Sequence, residues 1–405
     1  MKKKILSAIL VLPVLITSLG FDCGGGVRGL TIGEQQLVES GNTFGFELLK
    51  EVVDQEGDKN IFISPLSVSM ALGMTLNGAD GDTYEAMQQT LELAGLTEEQ
   101  INQSYESLIE LLRGLDPDVA FQIANSIWYR QEFAVNQPFL DTCQDYFDAV
   151  VEGLDFDDPA AANTINAWVD ENTNGKIEEI VEPPIDPLTV MFLINAIYFK
   201  GTWKYEFDEG NTQSEPFYLH NDSEVQCQMM QQQATLDYYE NDDFQAVDLP
   251  YGNGKYSMTV LLPDADKDID ELIAELNDES WNEWTGNLSE EEVALYLPRF
   301  ALEYEIKLND VLKAMGMEVA FSGAADFTKI NSSGGLYIEE VKHKTFVEVN
   351  EEGTEAAAVT SVEIRLSSVP DYTEMIVNRP FIFVIRENHS GSILFAGKII
   401  NPTAE

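Results

Sequence analysis

The sequence predicts one α+β domain extending from about residue 36 to the end of the 405-residue chain. Helix-type patterns fill the first half, strand-type runs fill the second, and no Pro-rich linker or internal repeat divides them. Hydrophobic residues make up 44% of the chain and aromatic ones 10%, enough for a large packed core and too much for a disordered segment.

Residues 1–20 read as a leader. Lys2, Lys3 and Lys4 precede an apolar run over 5–19, the layout of a secretory signal peptide. Ser18 and Gly20 place small residues ahead of a cut after Gly20, which makes the mature protein a secreted one. A second reading takes Cys23, followed by Gly24, Gly25 and Gly26, as a lipid-modified cysteine that tethers the chain to the cell surface; Asp22 fits that reading poorly. An uncleaved membrane anchor is the third reading, but the run falls short of a span of about 20 residues and contains Pro13. Residues 21–35 then form a flexible, Gly-rich linker.

Beyond the linker, Asn42 is placed to cap a helix whose apolar face is Phe44, Leu48, Leu49, Val52 and Val53. A second helix opens at Ser64 with Pro65 in its first position. It is apolar nearly all round and stops near Gly78, the pattern of a buried helix. A third starts at Asp82, where Glu85 completes a capping box. Residues 190–199, VMFLINAIYF, have the nearly continuous apolar character of a central strand covered on both faces. Further strands are expected over 256–262, 294–300, 345–350, 380–385 and 393–400.

Charge excludes one class of partner. With 71 Asp and Glu against 23 Lys and Arg, the formal net charge is -48, which repels nucleic acid and anionic lipid. No nucleic acid is expected as a partner, and contact with a membrane only through a lipid on Cys23. The acidic surface suits salty surroundings, where screening weakens self-repulsion. In the body of the chain only Cys143 and Cys227 remain, too few for a disulfide framework; both read as buried free thiols, with one bridge between them as the alternative.

Enzyme chemistry lacks its parts. The three histidines, His220, His343 and His389, are accompanied by neither an HExxH pair nor a GxSxG elbow. His343, between Lys342 and Lys344 ahead of a strand, reads as a hydrogen-bonded structural group, and His389 belongs to turn chemistry. Asp264, Asp266, Asp268, Asp270 and Glu275 have the spacing of a calcium loop, but Ile269 stands where that loop needs Gly. These acids read instead as the negative start of a helix over 270–276. No metal or other cofactor is expected.

The most informative stretch is 351–368, EEGTEAAAVTSVEIRLSS. In period two, Thr354, Ala356, Ala358, Thr360, Val362 and Ile364 form one uncharged row, while Glu355, Glu363 and Arg365 fall on the other. The row begins with small side chains able to slip between existing strands, and Gly353 supplies a swivel ahead of it. An ordinary amphipathic strand or an exposed Ala-rich helix would show the same alternation.

A resemblance decides between them. His343-Lys-Thr-Phe346-Val-Glu-Val-Asn350-Glu-Glu-Gly353-Thr354-Glu355-Ala356-Ala357-Ala358 closely resembles the hinge of inhibitory serpins, the serine protease inhibitor family. It extends in order along nearly the whole mature chain: Asn60-Ile-Phe-Ile-Ser64-Pro65-Leu-Ser67, then Asn195-Ala-Ile-Tyr198-Phe199-Lys200-Gly201-Thr-Trp203, then Asn378-Arg-Pro380-Phe381 with Phe395-Ala-Gly397-Lys398. A coherent series of motifs carries far more weight than one short match.

The resemblance implies a single domain over 36–405, its helices packed around a large central mixed sheet with smaller sheets, and an exposed reactive loop over about 351–372. It implies a hinge of Glu351, Gly353, Thr354, Glu355, Ala356, Ala357 and Ala358. It also implies a polar cluster of Ser64, Ser67, Asn195 and His343 beneath the sheet centre, with Trp203 and an Arg299–Glu351 ion pair at its upper opening. As a surface contact that pair would contribute about 0 to 1 kcal/mol. The implied activity is suicide inhibition of a serine protease, which cuts the loop and is trapped as the hinge enters the sheet. The alternatives are a non-inhibitory carrier on the same fold and an inhibitor of a cysteine protease.

The scissile bond falls in Arg365, Leu366, Ser367 and Ser368. The spacing usual in the family, counted from Glu351, puts the specificity residue at Ser367, with the cut before Ser368; counting back from Pro380 lands about two residues later. Arg365 would suit a trypsin-like enzyme and Leu366 a chymotrypsin- or subtilisin-like one. The expected partner is an elastase-, subtilisin- or chymotrypsin-like protease, met by a monomer.

Overall fold

The computed structural model describes residues 28–221, 223–354 and 372–404. The leader read over residues 1–20, Cys23 and the start of the 21–35 linker lie outside them, as do Glu355, Ala356, Ala357 and Ala358 and the scissile residues Arg365 to Ser368.

Two β-sheets and a set of helices share one core. The six-stranded sheet runs in the order Phe300–Lys307, Lys342–Asn350, Gly353–Thr354, Met191–Thr202, Val119–Arg130 and Ala149–Leu154. It is mixed: Ala149–Leu154 is parallel to its neighbour and the other pairings are antiparallel. The second sheet has nine strands, with Phe244–Tyr251, Tyr256–Pro263, Phe381–Glu387 and Ile393–Ile399 among them. Between the sheets lies the helix Pro65–Leu76, buried at every residue but Ala71, as its all-round apolar sequence requires. Ser64 caps it by accepting from the Ser67 N–H.

A smaller core lies on the other side of the six-stranded sheet. There the helix Ala160–Asn172 packs Ile165 and Val169 against Trp128 and Ile194. The chain after it lays Ile177, Val181 and Ile185 along the same face.

Several expectations are corrected. The first helix is Ile32–Glu56 and starts ten residues ahead of Asn42, because Thr31 and Glu34 form a complete capping box. Asn42 is mid-helix and uses its amide across the fold, donating to the Gly391 carbonyl and accepting from the Ile393 N–H. The third helix, Gly81–Thr90, is capped by Asp80 rather than Asp82. The run 294–300 belongs to two strands, Ser289–Pro298 and Phe300–Lys307, one in each sheet, with Arg299 at the break. The division into a helical and a strand half also fails in detail: Val119–Arg130 and Ala149–Leu154 lie in the first half, and Ile269–Glu275 and Asp278–Gly286 are helices of the second.

Cys143 and Cys227 are both buried and free. The acids at 264–270 flank the helix Ile269–Glu275, which Asp268 caps through the Asp270 N–H, while Asp270 pairs with the buried Lys398. Among the described residues no helix is long and apolar enough to cross a membrane.

Candidate functional site: a gap in the six-stranded sheet and its hinge

Among the described residues, Met191–Thr202 and Lys342–Asn350 run parallel to each other and are joined only by the two-residue strand Gly353–Thr354. That strand is antiparallel to both, with Gly353 opposite Asn350 and Thr202, and Thr354 opposite Val349 and Gly201. Below it the two long strands leave a gap. Directly under Thr354 lies a void of about 20 Å³ lined by Ile197, Phe199, Phe346 and Val347. Further down a cavity of about 600 Å³ opens between residues 191–197 and 341–345, within the usual range for an occupied cleft. Its outer wall includes Ile177, Val181, Ile185 and Leu188.

The chain enters the gap by a tight reversal at Asn350, whose side-chain carbonyl accepts from the Glu352 and Gly353 N–H groups. Gly353 has φ +154°, and a Cβ there would stand 2.0 Å from the Gly201 carbonyl oxygen. Both neighbours are backbone, so only Gly fits. Gly353→Ala is therefore expected to expel the two-residue strand. Strain of about 1 to 3 kcal/mol corresponds to amide hydrogen exchange over 350–354 roughly tenfold faster or more, read by mass spectrometry.

At the top of the gap, Trp203 is buried and donates its indole N–H to the Asn350 carbonyl at 3.0 Å. Its ring stacks on Tyr251 at 4.4 Å. The Tyr251 hydroxyl lies 2.7 Å from that of Thr354, which is 3% exposed and points into the core. The Arg299–Glu351 ion pair forms, but not as a surface contact. Glu351 is 2% exposed, accepts from the Thr212 hydroxyl at 2.6 Å and pairs with the Arg299 guanidinium. Burial is the largest influence on this carboxyl and pushes it up; donation from Thr212 and Arg299 outweighs it and holds the group below the ordinary carboxylate range.

The four polar residues expected beneath the sheet centre are joined by hydrogen bonds. His343 Nε2 accepts from the Ser64 N–H at 3.0 Å, so the imidazole is neutral, and burial lowers its pKa to about 4. The Ser64 hydroxyl donates to the Leu394 carbonyl, and the Ser67 hydroxyl reaches the Asn195 carbonyl at 3.5 Å. The Asn195 amide nitrogen donates to Asn125 Oδ1 at 2.8 Å. Its carbonyl oxygen, Asn195 Oδ1, is buried without a partner among the described residues, and the residue lines the large cavity. An orphaned acceptor of this kind costs about 1 to 3 kcal/mol.

Sequence reasoning missed Tyr251, Thr212 and Asn125. Each is reached only through tertiary contact: Tyr251 ends a strand of the other sheet, Thr212 lies in a loop, and Asn125 sits inside a strand that the first-half pattern did not suggest. None carries a sequence motif that would have singled it out.

Among the described residues the six-stranded sheet thus has a cleft between two long strands, headed by the glycine-hinged pair Gly353–Thr354. The comparisons identify the family. The family model described as serpin (serine protease inhibitor) matches residues 39–402, and the chain belongs to the serpin family. Human neuroserpin is 35% identical over 355 residues, covering 85% of this chain and 87% of that protein. Iripin-5 of Ixodes ricinus is 36% identical, covering 90% of this chain and 95% of its own length. Among solved structures, the thermophilic serpin tengpin in its native state superposes with a TM-score of 0.84 at 34% identity, over 93% of this chain and 96% of that one. Human thyroxine-binding globulin does so with a TM-score of 0.83 at 28% identity, over 92% and 100%.

Proposed function

We propose that this serpin is an irreversible, suicide-substrate inhibitor of serine endopeptidases, acting by cleavage of the loop after Thr354 and insertion of its N-terminal part into the gap. The observation that carries this reading is the strand Gly353–Thr354, already paired on both sides at the head of an open gap. Continued downward, its register brings 355 opposite Lys200 and 364 opposite Met191. Thr354 faces the core, so period two sends Ala356, Ala358, Thr360, Val362 and Ile364 inward and Glu355, Glu363 and Arg365 outward. On the same register Thr360 arrives opposite Asn195 on one side and His343 on the other, where its hydroxyl can donate to the orphaned Asn195 oxygen.

The energetics suffice. Ladder hydrogen bonds of roughly 0.5 to 1.5 kcal/mol each along residues 355–364, with apolar burial added, yield on the order of ten kcal/mol or more. That is comparable with the whole stability of a protease domain. The protease, held as an acyl-enzyme on the cut end, is carried along as the strand zips in, and its active site is distorted before water can release it. Specificity rests with Arg365, Leu366, Ser367 and Ser368, and a chymotrypsin-, subtilisin- or elastase-like enzyme fits Leu366 or Ser367. The signal-like N-terminus fits an exported protein that meets such enzymes outside the cell.

A second reading has one observation behind it: the likeness to thyroxine-binding globulin, solved in complex with thyroxine, makes a carrier role on the same fold the rival. The small residues Ala356, Ala357 and Ala358 favour inhibition, since a loop that never inserts has no need of them. Mixing the purified protein with elastase, subtilisin, chymotrypsin, trypsin and papain decides the matter. An inhibitor gives a covalent complex that survives boiling in detergent, and mass spectrometry of the released C-terminal peptide identifies the cut bond. Cleavage with no such complex would favour the carrier, and a complex with papain alone the cysteine-protease alternative.

A further inference from the structure

We infer that Tyr251 is a positioning residue that fixes the register of the inserting strand and docks the hinge before the loop is cut, through a single hydroxyl pair with Thr354. The inference rests on the insertion mechanism above but concerns a residue outside the hinge and outside the six-stranded sheet. Tyr251 ends the strand Phe244–Tyr251 of the nine-stranded sheet and is fully buried. Its ring is held from two sides, stacked on Trp203 at 4.4 Å and edge-on to Phe199 at 5.0 Å. It passes over Gly201, where a Cβ would come within 2.7 Å of the ring. Because Tyr251 ends a strand of the other sheet and its ring is packed against Phe199, Gly201 and Trp203, its hydroxyl marks a set height at the head of the gap.

Among the described residues the Tyr251 hydroxyl makes its hydrogen bond with Thr354, at 2.7 Å, with Gly353 and Thr354 already in register on both neighbours. The chemistry of the flanking sequence makes that contact selective. A slip of one residue would present Gly353 or Glu355 to the hydroxyl and would turn the charged row, Glu355 and Glu363, into the core. A slip of two toward the loop would present Ala356, which has nothing to bond. Only Thr354 both satisfies the buried hydroxyl and sends the uncharged row inward. Insertion after cleavage then starts from a docked residue in the right register rather than from a search, which shortens the time in which water can release the protease.

The test is a double-mutant cycle on Tyr251→Phe and Thr354→Val, both close in shape to the originals and lacking the hydroxyls. Hydrogen exchange of the 350–354 amides in the uncleaved protein reads hinge docking without any protease. Each single variant leaves one buried hydroxyl orphaned and is expected to exchange about fivefold faster. The double variant, with two apolar groups facing each other, is expected to return to within about twofold of the unmodified protein. Singles that do not accelerate, or a double variant whose effect is the product of the two, would overturn the inference; a merely structural role gives that product. In parallel, the moles of inhibitor consumed per mole of protease trapped should rise at least twofold in each single variant and recover in the double; unchanged values would overturn the kinetic consequence. If the unmodified protein traps no protease at all, the inhibitor reading fails, while the exchange cycle still decides the role of Tyr251.

Discussion

On the proposed mechanism, Thr354→Arg is expected to turn the inhibitor into a substrate: proteases cut its loop, leave active, and the yield of detergent-stable complex falls at least tenfold. Thr354 already sits at the head of the gap, 3% exposed among Tyr251, Gly201 and Val349, and the proposed insertion continues from it. An arginine at that point must either be carried into the core or hold the strand out. Burying its charge costs several kcal/mol, against a total yield on the order of ten, and the cost falls on the first step of the zipper. A barrier raised by 3 kcal/mol slows that step by roughly a hundredfold, and hydrolysis of the acyl-enzyme then wins. The comparison is made on gels after incubation with a protease that the unmodified protein traps. Undiminished complex from the arginine variant would mean that the hinge does not insert through this gap.

The second large effect concerns acid. His343 is buried, its Nε2 accepts from the Ser64 N–H, and its pKa lies at about 4 against an ordinary 6.5. Protonation would set a ring N–H against a backbone N–H. The unfolded chain therefore takes up a proton below about pH 6.5 that the folded protein refuses until about pH 4, and folding loses stability as pH falls through that window. The contribution is complete above pH 6.5 and amounts to about 3 kcal/mol lost by pH 4, of which about 2 kcal/mol goes between pH 7 and pH 5. The carboxyls Glu92, Asp237, Asp278 and Glu352 act with the opposite sign. Their pKa values are raised by burial, so the folded state takes up protons before the unfolded one and gains stability in acid. The effect is isolated by comparison with His343→Gln, which keeps an acceptor for Ser64. Urea unfolding at pH 7 and pH 5 should show a loss about 2 kcal/mol greater in the unmodified protein. Equal pH slopes would show that the imidazole is not held neutral at this place.

Much of the site was legible in the sequence because its demands are local. Gly353 stands where no Cβ fits, the small residues Thr354 and Ala356 to Ala358 are plain in the sequence, and the period-two row needs no knowledge of partners. The buried helix at Pro65 announced itself by apolar residues on every face. The strand Glu224–Glu240 did not: its middle, Gln226, Gln228, Gln231, Gln232 and Gln233, is polar, and its strand geometry comes from ladder pairing, with Gln213–Tyr218 up to Met229 and with Ser289–Pro298 from there on, rather than from its own pattern. The first helix was misjudged at its start because Thr31 with Glu34 and Asn42 offer competing caps. Arg28 and Ser107 settle the choice by bonding the buried Glu34 carboxylate, holding it at about 2.

The sequence by itself determined the class of fold and the family resemblance, and it put forward the segment 351–368 with its uncharged row, since side-chain size, charge and alternation are properties of consecutive residues. Tertiary structure alone decided the rest. It placed a cleft between Met191–Thr202 and Lys342–Asn350, buried the Glu351 carboxylate, left Asn195 Oδ1 without a donor among the described residues, and brought Tyr251 from another sheet onto Thr354. Those features depend on residues a hundred or more positions apart meeting at one point, as Tyr251 and Thr354 do. No local pattern encodes such a meeting; it is fixed only when the two sheets close on a common core.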